Sequence, residues 1–276
     1  GLENVLWFAN NKEDAHEEPT IKRSRSHDYV SKEVINVREN VGLIEVANFS
    51  KHEFKGPDAR KFLDHIMAGR LPKPGRISLS PMLSHRGKLC GDLTVACLDE
   101  NEFMVFGSGA AQEMHRRWFE SHLDKFNLSY SNRSDEYHGL SIAGPNSRKV
   151  LEKIVRDDVS NEKFKFRDSR RMFVGGVPAL INRISFTGEL GYEIYVAPHY
   201  QLKLYEELME AGKEFNIKPF GGRALMSMRL EKNWGAWTLD YRPDFTAKET
   251  GLDAFINWDK EFIGKESAQK ENSSNK

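Results

Sequence analysis

Strand-like and helix-like patterns alternate along most of the chain in two successive cycles, and this order limits the folds open to it. Apolar residues recur at every second position in strand-like runs and at three- or four-residue intervals in helical ones. The strand patterns lie at 41–46, at 52–56, in a block that begins at Met82, at 103–106, at 140–143 and in three parts of 171–197. The helical patterns open at Pro57 and at Gly144-Pro145, and cover 110–126, 199–215 and 221–233. Single helices between strand runs predict an α+β fold rather than a sandwich or a helix bundle.

The helical patterns also predict which side chains face inward. Gly69 is expected to cap the helix that opens at Pro57, since glycine commonly ends helices. The inward residues are predicted to be Met114, Trp118, Leu123 and Phe126 in the first cycle and Leu202, Tyr205, Leu208 and Met209 in the second.

The two ends of the chain are polar and lack a sustained pattern. Residues 1–33 are predicted to form a linker or docking segment. Trp7 and Phe8 should pack on another part of the protein, because exposing both rings would be unfavourable. The polar tail from residue 266 is predicted to be frayed.

The overall charge does not predict a nucleic-acid or membrane partner. Lys plus Arg and Asp plus Glu number 41 each, so no net charge attracts nucleic acid or an anionic membrane. No apolar run approaches the roughly 20 residues that a membrane span needs. The start Gly1-Leu2-Glu3 lacks an initiator Met and a signal-peptide pattern, which predicts a cut or processed chain. The expected location is the cytoplasm.

The two cysteines, Cys90 and Cys97, lie seven positions apart in one strand-like run. An odd separation places them on opposite strand faces, about 23 Å apart at roughly 3.3 Å per residue. A disulfide cannot span that distance, so both are predicted to be buried thiols in a reducing compartment. No His/Cys cluster has metal-ligand spacing, and no metal site is predicted.

Several charged residues interrupt apolar surroundings. Asp92 lies on the strand face opposite Leu89, Leu93 and Val95, which leaves a solvated face and a pocket wall both open. Glu193 lies in the strand 191–196 among aromatic and β-branched residues, so it must find a donor or border a cleft.

For three other charged residues the sequence alone predicts mainly structural roles. Glu189 is expected to be an exposed turn residue, and Arg229 a structural ion-pair partner. Asp240 follows the aromatic stretch 234–237 and could be a turn residue or a pocket wall. The Gly107-Ser108-Gly109 step lacks the Lys and the spacing of a phosphate-binding loop.

Six segments in a fixed order resemble one known family. They are 1–8, 41–55 with its Phe49-Ser50-Lys51 step, Arg86 to Val95, Ala143 to Arg148, Ser185 to Glu193 and Arg229 to Lys232. Together they resemble the folate-binding C-terminal region of dimethylglycine and sarcosine dehydrogenases. That region is similar to the T-protein, the aminomethyltransferase of the glycine cleavage system.

The resemblance implies a T-protein-like fold of intertwined α+β domains. Residues 34–53 and 138–255 would form the folate-binding domain, 54–137 an inserted second domain, and 256–276 the start of a truncated C-terminal region. The family's C-terminal β-barrel and the flavin domain of the dehydrogenases are expected to be missing.

The resemblance also implies an activity. The family captures the iminium or formaldehyde unit of an N-demethylation on tetrahydrofolate, giving 5,10-methylenetetrahydrofolate. The expected partner is an FAD-dependent amine-oxidising domain or subunit, with FAD bound outside this chain. Alternatives are a stand-alone aminomethyltransferase and a non-catalytic regulatory homologue.

The site residues follow from the family's motifs. Asp92 inherits the catalytic role, because the first of two adjacent motif acids is Gly91 here. Glu193 matches the final motif Glu, which holds the pterin through paired hydrogen bonds. The other implied folate-binding residues are Phe186, Tyr192, Arg229 and Asp240. Phe186 replaces a motif Tyr, which keeps the non-catalytic homologue open. Leu225 replaces a T-protein Arg and, with the opening segment and Gly91, favours the dehydrogenase-type hypothesis.

Overall fold

The computed structural model describes residues 4–17 and 19–274. The start Gly1-Leu2-Glu3, part of the first segment of the resemblance, lies outside the described residues. The chain divides into two compact units. The first comprises the described residues up to Ala47, Tyr137–Phe166 and Arg171–Trp234. The second comprises Asn48–Glu136, Arg167–Arg170 and the described residues from Gly235 onward.

Helices and strands alternate much as the sequence patterns predicted. The helices are α1 (Ser26–Glu39), α2 (Ala59–Ile66), α3 (Gln112–Glu120), α4 (Ser147–Ile154), α5 (Gln201–Gly212), α6 (Gly222–Glu231) and α7 (Lys265–Ser274). The strands are β1 (Val41–Glu45), β2 (Ser50–Lys55), β3 (Arg76–Leu83), β4 (Leu89–Asp99), β5 (Glu102–Gly107), β6 (Ser129–Asn132), β7 (His138–Ala143), β8 (Ser169–Val174), β9 (Val177–Asn182), β10 (Gly191–Val196) and β11 (Ile217–Pro219). The α+β class is confirmed.

A six-stranded sheet, in the order β11-β1-β7-β10-β9-β8, organises the first unit. Residues of α4 and α5, among them Val150 and Leu204, pack with Tyr192 and Ile194 of β10 in one apolar core. A second apolar cluster joins α1, α6 and β7. Because strand residues alternate between faces, Glu193 and Tyr195 point away from the core that holds Tyr192 and Ile194.

A five-stranded antiparallel sheet, in the order β3-β4-β5-β2-β6, organises the second unit. Helices α2 and α3 pack on one face through Phe62 and Phe119. On β4, Leu93, Val95 and Cys97 belong to this core, which confirms the predicted alternation over 93–97. Asp92 therefore points to the opposite face of the sheet. Cys90 packs against the same core, so the prediction that the two cysteines lie on opposite strand faces is wrong, because the β3–β4 register shifts beside Cys90.

The N-terminal region is more ordered than the sequence predicted. Helix α1 begins at Ser26, within the segment expected to be a linker. Trp7 is buried, and its ring lies 4.9 Å from the Arg223 guanidinium. Phe8 stays 40% exposed, so the expected docking of the aromatic pair is correct for Trp7 and wrong for Phe8.

Two helices are rotated relative to their predicted faces. Met114 is 40% exposed, while His115 and Phe119 face the core of the second unit. Leu202 is 68% exposed, and Leu204 is buried in its place. The other predicted inward residue that proves exposed is Tyr205. Short 3₁₀ turns precede both helices and shift their phase, which apolar spacing alone does not reveal.

Two further boundaries differ from the predictions. The β-rich block begins at Arg76 rather than Met82, because the edge strand β3 tolerates Pro81 without a ladder hydrogen bond. Helix α2 spans Ala59–Ile66 and ends with Met67 extended, so Gly69 is not its cap. A Cβ on Gly69 would approach Ser80 Oγ to 2.8 Å, which explains the glycine by close packing.

The tail expected to fray is helical over Lys265–Ser274. Ala268 is buried, and a Cβ added to Gly87 would lie 2.8 Å from the Ala268 Cα. Lys88 Nζ also forms an ion pair with Glu271. These contacts fix a polar helix that has no apolar pattern of its own.

Both cysteines are free thiols, although Cys90 is partly exposed rather than buried. In the described part of the chain, no helix is both long and apolar enough to cross a membrane.

Candidate functional site

Glu193 occupies the centre of the sheet of the first unit. Strand β10 is flanked by β7 and β9, and the Cα partners of Glu193 are Ser141 and Asn182. The aromatic and β-branched residues of 191–196 favour a strand. Glu193 within it is only 6% exposed. Tyr195 Oη donates a hydrogen bond of 2.8 Å to Glu193 Oε2. The buried carboxyl therefore has the donor that its surroundings require.

Burial changes the acidity of this carboxyl. It raises the Glu193 pKa to about 7, while the Tyr195 hydrogen bond and the Lys232 charge act in the opposite direction. Burial also lowers the pKa of the Lys232 ammonium, with Glu193 opposing that effect. Glu193 can consequently be charged or neutral near neutral pH.

The loop that precedes β10 is tied to two helices. Glu189 Oε1 lies 2.8 Å from Arg38 Nη1 of α1, and Arg38 also contacts Glu231 of α6. Lys232 Nζ donates a 2.8 Å hydrogen bond to Ser185 O. Glu189 lies in a bend, as expected, but it is half-buried and ion-paired, so the prediction that it is exposed was wrong. These contacts fix the start of the strand that carries Glu193.

The other candidates of the first unit occupy different environments. Tyr192 is fully buried, and its ring stacks on Phe164 with a centroid separation of 5.8 Å. Phe186 lies partly exposed in the loop before β10. Arg229 is buried in α6, and its Nη1 donates to Trp234 O at 2.9 Å. Only Glu193 of this group combines burial, a strand face away from the core and a shifted pKa.

Asp92 lies on β4 of the second unit, with Pro81 as its Cα partner. Its side chain is partly accessible, yet burial raises its pKa to about 7. An acid with such a pKa can hold or release a proton near neutral pH. Asp92 is thus neither fully solvated nor fully buried.

Asp240 adopts the turn geometry that was one of its two readings. Its Oδ2 accepts a 2.9 Å hydrogen bond from the Ala236 N–H, and its own N–H donates to Ala236 O at 2.9 Å. The residue is exposed.

Sequence reasoning did not single out Tyr195, Lys232, Arg38 or His115. Tyr195 could have been found, because it lies two positions from Glu193 in a strand of period two. The others act across long sequence separations, for example Arg38 with Glu189. Over residues 4–17 and 19–274, no group of three or more His, Cys, Asp or Glu side chains could hold a metal ion.

Comparison with known proteins shows the family of this chain. The GCVT N-terminal domain family matches residues 1–260. The chain belongs to this family. Mouse mitochondrial dimethylglycine dehydrogenase is 35% identical over 271 residues, a match that covers 96% of this chain and 31% of the dehydrogenase. An aminomethyltransferase of Caldanaerobacter subterraneus subsp. tengcongensis is 31% identical over 239 residues, 85% of this chain and 63% of that protein.

Solved structures show the same fold. Glycine cleavage system aminomethyltransferase T from Bartonella henselae has a TM-score of 0.80 at 23% identity, covering 89% of this GCVT-family chain and 67% of the other. Heterotetrameric sarcosine oxidase from Corynebacterium sp. U-96 has a TM-score of 0.52 at 20% identity, covering 71% and 97%. The T-protein-like fold implied by the resemblance is confirmed. The chain spans about a third of the length of the dehydrogenases and under two thirds of the aminomethyltransferase.

Proposed function

We propose that this chain binds tetrahydrofolate and captures on it the one-carbon unit released when dimethylglycine or sarcosine is N-demethylated. The product would be 5,10-methylenetetrahydrofolate. One observation carries the proposal: Glu193, at the position of the family's pterin-binding acid, is a buried carboxyl with its own donor and a pKa near 7. The names of the relatives, dimethylglycine dehydrogenase and aminomethyltransferase, support the same chemistry.

The chemistry of Glu193 fits a pterin. A carboxylate can accept hydrogen bonds at about four lone-pair sites, and Tyr195 engages one oxygen. The remaining capacity suits two neighbouring N–H donors of a pterin ring. When bound, the folate supplies the nitrogens that receive the one-carbon unit. Charge-assisted hydrogen bonds of this kind each stabilise binding by roughly 1.5–3 kcal/mol.

Asp92 is proposed to move a proton during the capture. Its raised pKa lets it accept or return a proton near pH 7, which is the condition for general acid–base assistance. Phe186, Arg229 and Asp240 remain proposed folate contacts. Tyr192 is proposed to act indirectly, by packing in the core beneath Glu193.

The proposed partner is an FAD-dependent amine-oxidising domain or subunit, which would supply the iminium or formaldehyde unit. The chain matches only 31% of a dehydrogenase whose name states that it oxidises dimethylglycine. A location in a reducing compartment, the cytoplasm, stays part of this proposal and rests on the two free thiols.

A stand-alone aminomethyltransferase is the second candidate, because aminomethyltransferases match 85% of the chain. Supplying an aminomethylated lipoyl carrier in place of an N-demethylating flavoprotein distinguishes the two. Turnover with the carrier and tetrahydrofolate, in the absence of the flavoprotein, would favour the second candidate.

The test of the proposal is direct one-carbon capture. Formaldehyde and tetrahydrofolate are mixed with the purified chain, and methylenetetrahydrofolate is measured after subtraction of the uncatalysed condensation. We expect a rate above background that saturates with tetrahydrofolate. A rate equal to background at all concentrations would support a non-catalytic homologue instead.

A further inference from the structure

An irregularity in β4 lies immediately before Asp92. Along the β3–β4 pair, Pro81 lies opposite Asp92 and Met82 opposite Gly91, but Leu83 lies opposite Leu89. Cys90 is therefore an extra residue on β4, which makes a β-bulge. Bulges bend a strand and redirect the side chains next to them. The direction of Asp92 thus depends on how this bulge is held.

A buried imidazole of helix α3 contacts the bulge. His115 of α3 is almost fully buried, and its Nε2 lies 2.9 Å from Cys90 O. A carbonyl oxygen only accepts, so Nε2 carries the hydrogen and donates to it. Burial lowers the His115 pKa to about 4, which keeps the ring neutral and in this tautomer near pH 7.

Two glycines make room for this ring. A Cβ on Gly91 would lie 2.8 Å from His115 Nε2, and a Cβ on Gly107 would lie 3.2 Å from Nδ1. Any side chain at 91 would displace the imidazole from Cys90. An acid at position 91, as in the T-protein motif, and His115 in its present place exclude each other.

We propose that His115 is a positioning residue, which fixes the bulge at Cys90 through its Nε2–H and thereby aims the Asp92 carboxyl. This rests on the proposed function for the role of Asp92. Gly91 is then a requirement of the arrangement rather than a simple loss of the motif's first acid. His115, in the space that Gly91 leaves open, thus positions Asp92.

The test compares His115→Leu, which removes the donor, with His115→Gln, whose amide can still donate to Cys90 O. The carboxyl pKa of Asp92 is read by ¹³C NMR of the labelled chain, beside the rate of formaldehyde capture. In His115→Leu the bulge at Cys90 loses its donor, so we expect the Asp92 side chain to turn toward water. Its pKa should then fall by at least about one unit from about 7. The capture rate should fall at least about tenfold, with tetrahydrofolate affinity within about twofold, as expected for a misplaced acid. His115→Gln should restore most of both values.

Several controls keep the outcome decisive. His122→Leu removes a neighbouring imidazole that contacts Trp118 O rather than β4. This variant should change neither the Asp92 pKa nor the rate of formaldehyde capture. If His115→Leu does not fold, Gly91→Ala should reproduce the fall in the Asp92 pKa by pushing the imidazole aside. An unchanged Asp92 pKa in a folded His115→Leu or Gly91→Ala chain overturns the proposal, as does a folded His115→Gln chain that behaves like His115→Leu. The NMR reading needs no folate, so it decides this inference even if the parent chain captures no formaldehyde.

Discussion

The Tyr195 hydroxyl donates a 2.8 Å hydrogen bond to Glu193 two residues earlier on β10, on the strand face away from the apolar core. Tyr192, one residue before Glu193, points into that core. The same short strand thus carries one tyrosine that supports the candidate site and one that supports the fold.

This contrast gives a matched pair of variants. Tyr195→Phe removes a donor to the Glu193 carboxylate, so the Glu193 pKa should rise further above about 7. The free energy of unfolding should fall by roughly 0.5–1.5 kcal/mol, the usual net worth of such a hydrogen bond. Tyr192→Phe changes a hydroxyl on the other face and should leave the Glu193 pKa unmoved. ¹³C NMR titration checks both, and an equal shift in the two variants would refute the assignment of faces.

The pH dependence of stability follows from the same carboxyl. Burial raises the Glu193 pKa from 4.5 to about 7, so the folded chain binds this proton more tightly than the unfolded chain. Its contribution to stability is present below about pH 4.5 and is lost as pH rises through about 7. Relative to the parent, Glu193→Gln should gain up to ~3 kcal/mol in free energy of unfolding between pH 5 and pH 8, at about 1.4 kcal/mol per pKa unit.

Urea unfolding of both proteins at several pH values measures this difference. The subtraction matters because burial lowers the pKa of His52 to about 3 and of His115 to about 4, so their contributions are lost as pH falls. A parent-minus-variant difference that is flat from pH 5 to pH 8 would show that Glu193 titrates normally.

Asp92→Asn separates chemistry from binding. The amide fills nearly the same space as the carboxyl, so tetrahydrofolate affinity should stay within about twofold. Capture of formaldehyde should slow about 10²–10⁴-fold, the scale of acid–base assistance. Weaker binding with an unchanged bound-state rate would make Asp92 an anchor only.

The thiols give a chemical check of β4. Burial raises the pKa of Cys90 to about 11 and also raises the pKa of Cys97, so little thiolate forms at pH 8. A disulfide-exchange reagent should find two thiols per unfolded, unreduced chain and react with the folded chain at least about tenfold more slowly. Absence of thiols in the unfolded monomer would mean that the strand assignment of 89–99 is wrong.

Local periodicity predicted the parts of the fold that repeat regularly. The alternation of β4 placed Leu93 and Asp92 on opposite faces, because a strand of period two leaves no other choice. Helix α1 and helix α7 were missed because tertiary contacts fix them, such as that of Ala268 near Gly87. The same holds at the candidate site, where His115 reaches Cys90 across 25 positions. No local pattern encodes such a pair.

The affinity of tetrahydrofolate for the parent chain and for Glu193→Gln tests the central claim most directly. Calorimetric titration should show binding by the parent and a loss of roughly 1.5–3 kcal/mol in the variant, because the amide cannot supply two charge-assisted acceptors. Glu206→Gln, on the exposed side of α5, is the matched control and should bind as the parent does. Equal affinities for the parent and Glu193→Gln, or no binding by the parent, would contradict the account.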